Sequence, residues 1–504
     1  MGNLRNLTTL YLFENQLSGY IPQEIGLLTS LTVLQLYTNN LTGQIPTSIG
    51  NLQVLTTLYL TRNQLSGNIP QEIGRLTSLV NLGLGSNNFT GQIPTSIGNL
   101  QKLTTLYLWG NKLSGHIPQE IWMLKSLVNL ELSSNNLIGQ ISTLIGNLRN
   151  LTTLYLFENQ LSGYIPQEIG LLTSLTVLQL YTNNLTGQIP TSIGNLQVLT
   201  TLYLTRNQLS GNIPQEIGWL TSLVNLGLGS NNLTSQIPTS IGNLQKLTTL
   251  YLWGNKLSGH IPQEIGLLTS LVDLDLSSNN LEGQIPTSIG NLRSLSILYL
   301  FENQLSGQIP QEIGLLTFLV DLELDSNNLK GQIPTSIGNL WKLTNLFLRN
   351  NELNGSIPSE LNNLTLLAKF DLSDNHLTGV LPGNLCIGNS LKHLAVKNNE
   401  FIGKIPKTLK NCTSLLRVHL ENNQFSGDIF EDFGIYPELN YINLSNNSFY
   451  GHLSSNWGNC PKLGALKIST NRISGKLPPN LSNASQIGFI DLSSNQLVGK
   501  IPKT

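Results

Sequence analysis

The sequence predicts a repeat solenoid, an array of short units that bury their apolar faces by stacking on neighbours. Three observations carry this. An asparagine recurs every 24 residues, from Asn15, Asn39 and Asn63 through Asn255, Asn351 and Asn447 to Asn495. Leucines keep fixed offsets from it, as Leu7, Leu10, Leu12 and Leu17 do around Asn15. The stretch LTTLYLFENQLSGYIPQEIG at Leu7–Gly26 returns unchanged at Leu151–Gly170, 144 residues or six periods later.

Twenty-one periods of 24 account for all 504 residues, and the pattern L-x-x-L-x-L-x-x-N at this period marks a leucine-rich repeat. Within the first unit, a spacing of two puts Leu10 and Leu12 on one face of a short strand, pointing into the solenoid. Thr9, Tyr11 and Phe13 then point to the concave face. Asn15 turns the chain, and its amide is placed to satisfy backbone groups of neighbouring units as a stacked ladder. Leu17 points inward and Gly19 permits a tight backbone. Ile21-Pro22 is expected to begin a second extended segment. QEIGLLTSL then crosses the convex side as a 3-10 turn with Ile25, Leu28 and Leu31 inward. The expected product is a right-handed superhelix with a parallel sheet on its concave face.

The array is read as one domain over 1–504. A second period of 48 residues alternates IPQEIG with IPTSIG through most of the first two thirds, with lapses at IPQEIW and ISTLIG. Residues 2–121 and 146–265 differ only at Arg75/Trp219, Phe89/Leu233 and Gly91/Ser235, so a block of repeats was duplicated recently. From about His376, over 376–504, the alternation fades and the repeats become individual.

Charged residues are 11% of the chain and the net charge is −1, which gives no basis for binding nucleic acid or an acidic membrane surface. The polar surface is Asn, Ser, Thr and Gln, which fits a secreted, glycosylated protein. No apolar run reaches membrane-spanning length, and no direct membrane contact is expected. Of the three cysteines, Cys412 and Cys460 share a phase two rungs apart, about 10 Å at the usual rung spacing, too far to bridge. Cys386 and Cys412 lie in adjacent repeats at nearly matching phase and are the one pair placed to close; three separate buried thiols are the alternative.

The unit LxGxIPxxIGNLxxL, and above all the segment from LPGNLCIGNSLKHLAVKNNEF through DFGIYPELNYINLS and NWGNC to GKLPPNL, resembles the plant type of leucine-rich repeat in receptor-like kinases. The nearest resemblance is to the male-discoverer-interacting receptor-like kinase group, and it covers essentially the whole chain. It implies an ectodomain at the extracellular side of the plasma membrane. That ectodomain would bind a secreted peptide on its inner surface and recruit a co-receptor kinase ectodomain in signalling or immunity. Set against such receptors, the chain is expected to be a fragment. It shows no signal peptide, cysteine-paired cap, transmembrane helix or kinase, and Met1 to Leu12 and Gln496 to Thr504 are expected to leave the core uncovered.

Three features of the concave positions are candidates for ligand contact. The first is an aromatic ridge of Tyr155, Phe157, Tyr203, Tyr251, Trp253, Tyr299 and Phe301, with Phe347 further on; strand-filling tyrosine is the bland alternative. The second is an acidic block of Asp273, Asp275, Asp321, Glu323 and Asp325, continuing to Asp371 and Asp374, against the alternative of a solvated face. The third is a basic cluster of Arg349, Lys369, Lys392, His393, Lys397, Arg417 and His419, suited to a peptide's carboxylates. Repeats 1–6 and 7–12 show nearly the same concave residues and cannot supply a unique address. The peptide is therefore expected across repeats 11–18, with later repeats facing the co-receptor.

His393 and His419 lack carboxylate or thiol partners for a metal, and no cofactor is expected. There is no phosphate-cradling glycine loop, zinc spacing or nucleophile elbow, so the chain is not read as an enzyme. Sequons that could carry glycans open at Asn6, Asn40, Asn88, Asn150, Asn184, Asn232, Asn354, Asn363, Asn411, Asn480 and Asn483, and also at Asn443 and Asn446. A glycan on Asn443 would block the concave face. The competing functional readings are a secreted repeat protein that inhibits pathogen enzymes, and a non-functional product of a duplicated locus.

Overall fold

The computed structural model describes residues 3–502, so Met1, Gly2, Lys503 and Thr504, named above among the uncovered ends, lie outside the described residues. The fold is a leucine-rich-repeat solenoid. The chain forms two compact units, Met1–Lys256 and Leu257–Thr504.

In the first unit, three-residue strands run from Thr9–Tyr11 to Thr249–Tyr251, successive strands pairing in parallel at a spacing of 24 residues. The register never slips: Thr9 faces Val33, Leu10 faces Leu34 and Tyr11 faces Gln35. The middle residue of each strand is buried from Leu34 onward, and so is the leucine two residues later. In the second unit the same ladder runs from Asp273–Asp275 to Phe489–Asp491.

The second extended segment lies earlier than Ile21-Pro22. It is Ser18–Tyr20, and it pairs with Asn40–Gly43 through Ser18–Asn40, Gly19–Leu41 and Tyr20–Thr42. The expectation misplaced it because proline has no N–H to give a ladder. Pro22, at φ −71°, instead starts the 3-10 turn Gln23–Leu27. Gly19 lies at φ +80°, the left-handed region that favours glycine, and the same position repeats through the array. Ile25, Leu28 and Leu31 are buried as expected.

The asparagine ladder closes each turn. Asn39 Nδ2 donates to the Leu12 carbonyl at 2.8 Å and the Leu36 carbonyl at 3.1 Å, and its Oδ1 accepts the Leu17 N–H at 2.9 Å. The pattern continues to Asn495, which bonds the Ile468 and Leu492 carbonyls and the Ile473 N–H. One side chain thus satisfies backbone groups of two adjacent rungs that no sheet bond reaches.

The divergent repeats change the turns. Pro382–Asn389 has no 3-10 helix, and Lys407–Lys410 and Ile429–Asp432 are single α-helical turns. A disulfide joins Cys386 to Cys412, whose Cα atoms are 5.9 Å apart, while Cys460 is a free, buried thiol. Phe401, Phe425 and Phe449 stack in the core with ring centroids 5.9 and 6.4 Å apart, replacing the leucine found there in most repeats.

Candidate functional site

In the ladder strands of the second unit from Asp273–Asp275 to Ala465–Lys467 the first and third residues face outward while the middle one is buried. The 24-residue register lines them into columns. One column reads Asp273, Ile297, Asp321, Asn345, Lys369, His393 and Arg417. Its neighbour reads Asp275, Tyr299, Glu323, Phe347, Asp371, Ala395 and His419. Two residues beyond the second column stand Phe301, Asp325, Arg349, Lys397 and Glu421.

At the acidic end, Glu323 is flanked in register by Tyr299 and Phe347. Burial pushes its carboxyl up to about 7; Asp325, Asp321 and Asp275 push the same way and Lys369 opposes them. Burial also raises Asp275, against hydrogen bonds donated by Ser277 through its hydroxyl at 2.6 Å and its N–H at 3.0 Å. The Tyr299 phenol is raised by burial, then by Asp321 and Glu323. Asp325 is only 6% exposed and is held by Arg349, whose Nε lies 3.3 Å from its Oδ2.

At the basic end there is a shallow hollow of about 340 Å³ lined by Phe347, Lys369, Phe370, Asp371, His393, Leu394, Ala395, Arg417 and His419. His393 stands in register between Lys369 and Arg417. Burial, then these two cations, hold its imidazole below the ordinary histidine value, so it is neutral at neutral pH. Lys369 and Arg417 are exposed and make no ion pair among the described residues. Lys369 and Arg417 thus flank a neutral imidazole above the buried Phe370 and Leu394, and one carboxylate, Asp371, shares the lining.

The structure divides the predicted site residues. Tyr251 and Trp253 belong to the first unit, at the strand Thr249–Tyr251 and two residues beyond it. Lys392 is exposed, one residue before its strand and outside the hollow's lining. Arg349 and Lys397 are spent on Asp325 and Asp374, the latter pair 3.8 Å apart. His419 is turned toward Glu421, 3.2 Å from Nδ1 to Oε1, and stacks on Tyr441 with centroids 4.7 Å apart. The acidic and basic blocks therefore partly neutralise one another across rungs. Tyr441 and Glu421 escaped the sequence reading, although stepping by 24 from Arg417, or by two from His419, finds both. Every sequon asparagine from Asn6 to Asn483 placed in the candidate glycan set is exposed, whereas Asn443 is half-buried and its Oδ1 accepts the Ser445 N–H at 3.1 Å.

Among the described residues no group of three or more His, Cys, Asp or Glu is placed to hold a metal ion, and no helix is long and apolar enough to cross a membrane.

The family pattern described as Leucine Rich Repeat matches residues 6–28, 30–52, 54–76, 150–172, 174–196, 198–220, 318–340, 342–364 and 366–386. Related patterns, Leucine rich repeat and Leucine-rich repeat region, match 77–137 and 226–327. No curated protein matches the chain. Among solved structures, the plant peptide hormone receptor RGFR1 in complex with RGF2 is 40% identical, with a TM-score of 0.94, over 98% of this chain and 80% of that one. The chain belongs to the plant leucine-rich-repeat receptor-kinase ectodomains. PEPR1 with AtPEP1 is 38% identical over 99% of this ectodomain chain and 70% of its own, with a TM-score of 0.94. The Arabidopsis receptor kinase HAESA, in complex with the peptide hormone IDA and the co-receptor SERK1, is 35% identical over 99% and 80%, with a TM-score of 0.86. These ectodomains bind ligands and are not catalytic, and the present ectodomain shares that non-enzymatic fold.

Proposed function

We infer that this ectodomain is the ligand-binding region of a plant cell-surface receptor-like kinase, on the extracellular side of the plasma membrane. It takes a secreted peptide on the strand face of its second unit, between Asp275 and His419, and recruits a co-receptor kinase ectodomain in signalling or immunity. The male-discoverer-interacting group is the subgroup proposed. The supporting observation is the hollow around His393, where Lys369 and Arg417 make no ion pair among the described residues. A peptide carboxylate fits there, while a basic or hydroxyl-bearing residue of the same peptide fits the acidic column at Asp275 and Glu323. Exposed sequons are proposed to carry glycans, leaving the strand face open.

The test is binding of a library of synthetic secreted plant peptides to the full chain, each in free-acid and carboxy-amidated form. The expected hit binds as the acid and loses affinity on amidation. Arg417→Ala and Glu323→Ala should each cost about 2 kcal/mol or more where a desolvated charge contact is broken. Hits indifferent to amidation and to both substitutions would place peptide binding elsewhere.

A further inference from the structure

The strand face of the first unit carries a different chemistry. A hollow of about 380 Å³ is lined chiefly by Tyr37, Tyr59, Tyr107 and Trp109, with Glu14, Glu131 and Arg62 at its edges. Two glycines lie beneath two of these rings. A Cβ on Gly85 would come within 2.5 Å of the Trp109 indole, and one on Gly83 would collide with the Tyr59 ring. The five-membered ring of Trp109 therefore lies against bare backbone, and the indole remains half-exposed. That is a flat aromatic platform, held by the absence of side chains beneath it.

The same arrangement is built a second time in this unit. The Trp253 indole covers Gly229, where a Cβ would meet it at 2.7 Å, and Tyr203 lies against Gly227 at 2.5 Å. The three differences between the duplicated blocks fall at residues 75/219, 89/233 and 91/235, all outside the three-residue strands that carry the tyrosines. The tyrosine, tryptophan and glycine residues of the platform recur 144 residues apart, six rungs or about 29 Å at the usual rung spacing.

We propose that the first unit binds a neutral polysaccharide along these paired tryptophan platforms. A unique ligand gains nothing from two copies of one subsite, but a periodic polymer occupies both and binds with the avidity of two linked contacts. Flat sugar rings present C–H faces to aromatic rings, and their hydroxyls both donate to and accept from polar groups between the platforms. Charge selects against a polyanion, because the hollow holds two carboxylates and one guanidinium. A proline-rich peptide would also stack on aromatics, but with its scarce N–H groups it offers little to the acceptors Glu14 and Glu131. This site is separate from the peptide reading above and does not depend on it.

The experiment is affinity electrophoresis of the full chain through gels containing xyloglucan or polygalacturonate, with a synthetic polyproline peptide as competitor. Xyloglucan should retard the protein and polygalacturonate should not. Trp109→Ala and Trp253→Ala should each weaken retention at least about tenfold by removing one of two linked contacts, and the double variant should run freely. Trp109→Phe should restore part of the retention, and Arg417→Ala should leave it unchanged. Thermal melts by circular dichroism check that each variant is folded. Free migration of the parent protein, full retention of the folded double variant, equal retention on polygalacturonate, or polyproline binding to the tryptophan pair in place of xyloglucan each overturns the proposal.

Discussion

Arg349 Nε lies 3.3 Å from Asp325 Oδ2, one rung away on the same face. The carboxylate is nearly inaccessible while the guanidinium side chain remains about half-exposed. Burial still raises Asp325, and Arg349 pulls it back. Truncating Arg349 to Ala should cost about 2 kcal/mol, because it strands a buried charge. The Asp325→Asn/Arg349→Ala double variant should cost less than Arg349→Ala alone. Urea denaturation of the three proteins checks the order.

Glu131 and Glu323 should make stability fall as pH rises. Burial lifts both carboxyls from the ordinary value to about 7. The folded chain then holds protons that the unfolded chain has released, so stability declines between about pH 4.5 and pH 7. The Glu131→Gln/Glu323→Gln variant should show a flatter profile across that window. Melting temperatures at half-unit pH steps would read the difference; parallel profiles would mean neither group titrates there.

His393 should give anionic peptides a pH-dependent grip. Its imidazole is neutral at pH 7 because burial and the flanking Lys369 and Arg417 oppose its charging. A bound carboxylate supplies the missing counter-charge, so affinity should rise as pH falls from 7 toward 5. His393→Gln should remove that slope while keeping the hydrogen-bonding capacity. Titration calorimetry with a hit from the peptide library at three pH values measures it.

Asn183 shows what one rung of the ladder is worth. Its amide donates to the Leu156 and Leu180 carbonyls at 3.0 and 3.1 Å, and its Oδ1 accepts the Leu161 N–H at 2.9 Å. Asn183→Ala leaves these buried backbone groups unsatisfied and should cost on the order of 3 kcal/mol. Asn183→Asp keeps the acceptor but loses the donors, and should also destabilise the fold. Hydrogen exchange should report the loss in the rungs on either side.

Thr182 occupies a left-handed backbone at φ 54° immediately before that asparagine. The same place holds Asn350, Asp374, Asn398 and Gly254 elsewhere, residues that tolerate it better than a β-branched side chain does. Thr182→Asn should therefore stabilise the protein by roughly 0.5–1 kcal/mol. An unchanged or lower melting temperature would show that the threonine makes a compensating contact.

Periodicity alone made the strand, the asparagine corner and the 3-10 turn readable, because each answers to one residue class at one offset. The second ladder was harder to place. Ser18–Tyr20 carries no β-branched residue and contains a glycine, so its pairing is a property of stacked rungs that one rung in isolation does not display. The columns Asp273–Arg417 and Asp275–His419 were legible for the same reason the strands were. Their electrostatics were not: which cations remain uncompensated depends on side-chain reach between rungs, as Arg349 to Asp325 and Lys397 to Asp374 show. The glycine platforms under Trp109 and Trp253 were invisible as well, since a glycine 24 residues from a tryptophan acquires meaning only when the indole is seen lying on it.

The constant register has a consequence for how the chain finds its native order. A strand edge that accepts Val33–Gln35 accepts Val177–Gln179 equally well, because the two segments and their neighbours are the same sequence. Local stability therefore does not distinguish a correctly threaded array from one in which a block has been skipped and looped out, or borrowed from a second molecule. Refolding from denaturant should populate such shuffled assemblies, more of them at higher protein concentration, and resolve them slowly. Synthesis from one end, which presents each rung to the only edge yet made, sidesteps the ambiguity that dilution from urea creates.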